Sequence, residues 1–211
     1  MDKGYAVAFS NQINAAEAID DIYIQLGEIE PRFLMLYSDV ENFAFYSEKL
    51  HQKYQEAVLI GATTYLALSS RGYSKTGLSV LAVADGIECS GGVIEDAVRF
   101  PDKYQDVIRE CAGHFPNTDN CCCFELTTAF GDCEEIVQDT FRSVLEEKEI
   151  PVIGGTAGNT SDTKESYVSL NGEVYTGACV FAIVKNLNAA IRLYRENLYR
   201  PTDQFFDVTD V

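Results

Sequence analysis

The chain has 211 residues, 16 Lys and Arg against 33 Asp and Glu, and a formal net charge of −17. The length suits one large domain or two small ones, and an acidic surface repels phosphate backbones and anionic bilayers, which argues against nucleic-acid and membrane-surface partners. No apolar run approaches the roughly 20 residues that span a bilayer, and Met1-Asp2-Lys3-Gly4 lacks the layout of a secretory leader, so the expected location is cytoplasmic.

In chain order, residues 5–9 read as a first strand. Asn14, with Glu17 three residues on, is a capping pair; Ala15, Ala18, Ile19, Ile22 and Leu26 then share one helical face, and Gly27 is a natural stop. Residues 33–37 read as a buried strand, 39–55 as a helix with Phe43, Tyr46, Leu50 and Tyr54 on its apolar face, and 57–62 as a third strand. This order of elements predicts parallel strands with helices packed on the sheet. Residues 78–84 follow with no helix between, which predicts an antiparallel neighbour. Residues 86–92 read as loop or weak strand, 102–115 as a helix, and 121–126 as a strand. Asp132, with Glu135 as its capping-box partner, opens a helix that buries Val137, Phe141, Val144 and Leu145.

Residues 150–184 form the stretch around which the rest is organised. A short apolar run ends in Gly154-Gly155, and a polar loop follows over residues 156–163. Asn171-Gly172 between apolar runs is a strong hairpin signal, because a type I′ turn needs positive φ at both central residues. Residues 178–184 are apolar on both faces and read as a central strand. The expected fold class is α/β, with a mixed parallel and antiparallel sheet, or two packed sheets, flanked by helices. Residues 188–194 fit strand or helix, and 204–208 read as the extended start of a following segment.

Three loops are expected to converge on one rim: residues 63–65, 127–130 and 154–159. Each follows an apolar strand, and ligands of α/β sheets bind at the carboxyl ends of strands. Exposed N–H groups of Gly154, Gly155 and Gly158 are expected to hold a carboxylate, hydroxyls of Thr63, Thr64, Thr127 and Thr128 to orient the ligand, and Tyr65 to cover its apolar side; Thr156 and Asn159 complete the candidate set. The glycine loop is no phosphate loop, since it lacks the lysine and the following helix.

The block at residues 57–83, with Gly61, Thr63 and Thr64 at the turn, and the block at 150–184 together resemble the FIST N-terminal domain, the sensory module of F-box and intracellular signal transduction proteins. Tyr65-Leu66-Ala67 stands where that family usually has a small, Gly-containing segment. The resemblance implies a sensory domain over residues 1–200 that recognises a small polar metabolite such as an amino acid, an output signalling domain elsewhere in the full-length protein, and, in 201–211, the start of a further segment, a FIST C-terminal domain. Some members of that family bind haem, so a haem- or metal-binding redox or gas sensor, or a metal-dependent enzyme, is the alternative; otherwise no cofactor is expected.

Seven cysteines are present: Cys89, Cys111, Cys121, Cys122, Cys123, Cys133 and Cys179. Neighbouring cysteines in a strand point alternately to opposite faces, so the triplet is expected to be core rather than a metal site. Cys111 and His114 have a spacing that suits chelation on a helix. His51 and His114 are the only histidines and are expected to be solvent-exposed on helices. No nucleophile–base signature is present, so no catalytic residue is expected.

Overall fold

The structure, a computed structural model, describes residues 4–70, 72–129, 131–159 and 164–194. Phe130, part of the expected polar loop, the tail beyond residue 194 and the expected division at 200/201 lie outside the described residues.

Four layers stack in the order helices, sheet, sheet, helices. The first sheet has six strands in the order β1 (Tyr5–Ser10), β6 (Leu78–Val83), β2 (Phe33–Ser38), β3 (Val58–Thr63), β10 (Val168–Leu170) and β11 (Glu173–Tyr175). The second has four: β7 (Ile87–Ile94), β12 (Cys179–Asn186), β8 (Cys121–Thr127) and β9 (Val152–Thr156). A small hairpin, β4 (Ala67–Ser69) and β5 (Gly72–Ser74), stands beside the first sheet. The sheets are mixed: β2–β3 and β8–β9 are parallel, and the other pairings are antiparallel.

Alternation along the strands separates three cores. Leu34, Leu36, Val80 and Ala82 turn outward under α1 (Ala15–Leu26) and α2 (Phe43–Lys53). Phe33, Ile60, Ala62 and Val168 turn inward and meet Leu126, Val180, Ala182 and Val184 of the second sheet. That sheet's other face, with Cys121, Cys123, Cys179 and Phe181, is covered by α3 (Gln105–Gly113) and α4 (Glu134–Leu145). Among the described residues no helix is long and apolar enough to cross a membrane.

Local signals explain several boundaries. Asn14 Oδ1 accepts from the N–H groups of Ala16 and Glu17, at 2.9 and 3.2 Å, satisfying two orphan donors of the first turn. Gly27 ends α1 at φ 63°, which favours glycine. Asn171 and Gly172 take φ of 49° and 88°, as the hairpin requires.

Elsewhere the structure departs from the expectations. The strand at residues 78–83 is not a neighbour of β3; it inserts antiparallel between β1 and β2. Where residues 86–92 are expected as loop or weak strand, the eight-residue β7 runs over Ile87–Ile94. The run after Asn171-Gly172 breaks in two: β11 stays in the first sheet, the chain turns at Gly177 (φ 60°), and β12 becomes a central strand of the second. The helix at residues 102–115 starts as a 3-10 turn over Pro101–Tyr104. Asp132 does not cap α4; it takes φ 49°, and the cap position falls on Cys133.

All seven cysteines are free thiols, six of them buried. Cys121 and Cys123 share the helix-facing core, while Cys122 sits on the opposite face, as the pleat dictates. Burial pushes the Cys122 thiol up to about 11, so it stays protonated and unreactive near neutrality.

Candidate functional site

The two sheets do not close on each other everywhere. Between β2–β3 and β8–β9 they leave a cavity of about 310 Å³. Its inner walls are apolar: Met35 and Tyr37 from β2, Ala62 from β3, Phe124 and Leu126 from β8, and Ile153 from β9. Its rim is polar and small, built by Thr63, Thr64, Gly154, Gly155 and Thr156. The rim exists because β3, β8 and β9 all end on one side. Gly158 N–H donates to Thr63 O at 2.7 Å, and Ala157 N–H to Thr127 O at 2.7 Å, tying the three strand ends together.

Of the ten residues singled out in the sequence, five therefore line the cavity. The other five stand around it. Tyr65 is half exposed beside it, with Lys75 Nζ 5.0 Å from its ring centre. Gly158 packs against Tyr65, where an added Cβ would come 3.0 Å from the backbone nitrogen. Asn159 follows on the same loop, half-buried. Thr127 and Thr128 are buried and do not line the cavity.

The threonine hydroxyls serve the protein's own framework. Thr63 Oγ1 accepts from Tyr167 N–H at 3.0 Å, stitching the end of β3 to the approach to β10. Thr64 Oγ1 donates to Leu66 O at 2.9 Å, closing a turn. Thr128 Oγ1 accepts from Ala178 N–H at 3.0 Å. Gly158 N–H is also spent within the protein, on Thr63 O, and Gly155 N–H turns toward β8 by the alternation of a parallel ladder. A carboxylate nest of three glycine N–H groups is therefore not assembled here.

One residue at the cavity has no counterpart in the candidate set. Glu125 is 5% exposed, within a strand that is otherwise apolar up to Leu126. It faces α4, and its carboxyl group lies across Gly154, where the missing side chain leaves room: a Cβ at Gly154 would sit 2.7 Å from the carboxyl carbon. Three donors hold it. Thr127 Oγ1 reaches Oε2 at 2.7 Å, Gln138 Nε2 reaches Oε1 at 2.8 Å, and Cys179 Sγ reaches Oε2 at 3.6 Å. Burial pushes the carboxyl above its ordinary range, and the hydrogen bonds from Thr127, Cys179 and Gln138 pull it back in part. Tyr37, on the facing sheet, is also pushed up, first by burial and then by the Glu125 charge. The signal was present in the sequence: a lone glutamate in Cys-Cys-Cys-Phe-Glu-Leu is a charge where a core strand should carry none.

The shift has a consequence for stability. The folded state holds the Glu125 proton more tightly than the unfolded chain, whose ordinary value is 4.5. The group's contribution is therefore most favourable below that pH and is lost as pH rises from it through the folded-state value. Glu125→Gln keeps the shape and carries no charge. In urea titrations, the variant should gain on the parent as pH rises through that window; parallel curves would contradict the assignment.

Neither histidine lines the cavity. His51 packs against the turn at Gly172, and His114 Nδ1 lies 3.0 Å from Glu110 O. Cys111 Sγ donates to Gly91 O at 3.4 Å. Among the described residues no group of three His, Cys, Asp or Glu is placed to hold a metal ion.

The model of the FIST N domain family matches residues 32–211 of the chain. No curated protein matches it.

Proposed function

Because the chain belongs to the FIST N domain family, a family of sensory domains in signal transduction proteins, we propose that it senses a small amphipathic metabolite, an apolar amino acid, in the cavity between its sheets. The single observation that supports this best is the cavity itself. It lies at the lower end of the size range of ligand sites, with apolar walls and a few polar groups at the mouth, which is the usual make-up of such sites. The apolar side chain packs among Met35, Tyr37, Phe124 and Ile153, and the polar end lies at the mouth, beside Thr63, Thr64 and Thr156. Both sheets contribute walls, so an occupant favours one relative arrangement of the sheets over others. A signalling segment attached to either sheet then reads occupancy as a population shift.

A thermal-shift screen of individual amino acids tests this. At about 100 times its Kd, a true ligand adds roughly 2.7 kcal/mol of stability. Gly155→Val should remove that gain while leaving the unliganded protein folded, since a Cβ at Gly155 meets nothing within 4 Å. Undiminished stabilisation in that variant would place the site elsewhere.

A further inference from the structure

Among the described residues the first sheet is two strands wider than the second. The strands β7, β12, β8 and β9 cover its middle, and the inner faces of β6 and β1 extend beyond β9. Register places Val7, Leu81 and Met35 side by side across β1, β6 and β2, all turned to the inner face. Val7 is 52% exposed, and Leu81 and Met35 are only partly covered. This apolar shelf begins where the second sheet stops.

The strand at which it stops is an unguarded edge. Among the described residues β9 pairs with β8 alone, and its sequence, Val-Ile-Gly-Gly-Thr, has no charge and no proline to deter pairing. Cys123 N–H donates to Pro151 O and Ala157 N–H to Thr127 O, so by alternation Val152 and Thr156 turn their N–H and C=O groups to the open side. The edge of the first sheet is treated differently: on β1, the Gln25 side chain donates to Phe9 O at 2.8 Å and accepts from Phe9 N–H at 3.2 Å, taking the place of a neighbouring strand. Each face of β9 also borders a recess. The inner one is the cavity already described; the outer one, about 230 Å³, lies between Gln138, Arg142, Leu145, Glu146, Ile150 and Val152. A strand laid beside β9 would thus present alternate side chains to two different surfaces: the apolar shelf inside, and the flank of α4 outside. That flank carries Glu134, Glu135 and Asp139, and its one arginine, Arg142, is paired with Asp139 at 2.8 Å.

We propose that β9 is a docking edge for one extended strand of a partner polypeptide, apolar on the side that covers Val7, Leu81 and Met35 and basic on the side that faces α4. Backbone pairing supplies the attachment, and the two surfaces select the alternation. In a sensory domain the same strand then forms both the wall of the ligand cavity and the contact with the partner. The docking itself does not depend on the small-ligand reading.

The probe is a capped hexapeptide of alternating valine and lysine, added to the whole chain and followed by backbone amide exchange. Binding should slow exchange at Val152 and Thr156 by at least about tenfold. The same peptide N-methylated at alternate amides keeps its charge and should give no protection, as should the valine–glutamate peptide. Val7→Lys should abolish protection, and its own melting temperature reports that it remains folded. Equal protection by the N-methylated peptide, no protection by the parent peptide, or amides already protected without peptide would each overturn the proposal. So would a protein that dimerises through β9, with Val7→Lys making it monomeric, since a second copy would then be the occupant. Loss of amino-acid binding in Gly155→Val with peptide protection intact separates this result from the fate of the cavity reading.

Discussion

Gly154→Ala should destabilise the protein by about 3 kcal/mol, the upper end of what overpacking costs, whereas Gly155→Ala, one residue on, should be neutral or stabilising by up to about 1 kcal/mol. A Cβ at Gly154 would stand 1.9 Å from Glu125 O and 2.7 Å from the carboxyl carbon. The first of these atoms is backbone in the paired strand, so β8 and β9 must separate to admit a methyl group. The second belongs to a side chain already fixed by three donors, whose displacement would strand buried polar groups. A Cβ at Gly155 meets open space, and neither glycine has a φ that forbids a side chain. Urea denaturation of the two variants decides the matter. Equal losses would mean that the Glu125 carboxyl is not seated over Gly154.

Phe181→Ala should cost about 3–5 kcal/mol, as for other fully buried aromatic side chains. Phe181 is wholly buried on β12, the strand that joins β7 to β8. Its ring meets Phe141 of α4 edge-on, with centroids 5.1 Å apart and planes at 81°, a geometry that adds to simple burial. The ring also lies over Gly92, where a Cβ would come 2.7 Å from it. The site cannot collapse from below, because the floor is backbone. In denaturant the midpoint should fall with the slope unchanged. A loss below about 1 kcal/mol would show that this core tolerates a void of that size.

These two positions also show what could and could not be read from the sequence. Period and caps sufficed for α1, because Asn14, the i, i+3, i+4 apolar positions and Gly27 act within one turn of each other. The parallel pair β2–β3 followed from the helix between them. What escaped was non-local. Gly91 and Gly92 read as loop or weak strand, yet they lie inside the eight-residue β7, where the Val58 and Phe181 side chains crowd the space a Cβ would take. The apolar run at residues 178–184 announced burial, but an apolar run does not say which sheet buries it, and the pivot at Gly177 moves it to the other one. The rim of small residues at Thr63, Thr64 and 154–156 was legible as the carboxyl ends of strands. Its apolar walls, Met35, Tyr37, Phe124 and Ile153, were not, since each reads as an ordinary core residue until the two sheets are seen to part. The hydroxyls of Thr63 and Thr128 looked like ligand contacts because backbone partners such as Tyr167, 104 positions away, leave no trace in local sequence.

Backbone amide shifts recorded during titration with the amino acid that stabilises the protein test the sensory reading most directly. The account predicts that the largest changes fall on Tyr37, Thr63, Thr64 and Gly154 to Thr156, on both sheets at once, and that α2 and the hairpin turn at Gly172 stay still. Changes confined to one sheet, or centred on α2 and His51, would contradict a ligand held between the sheets.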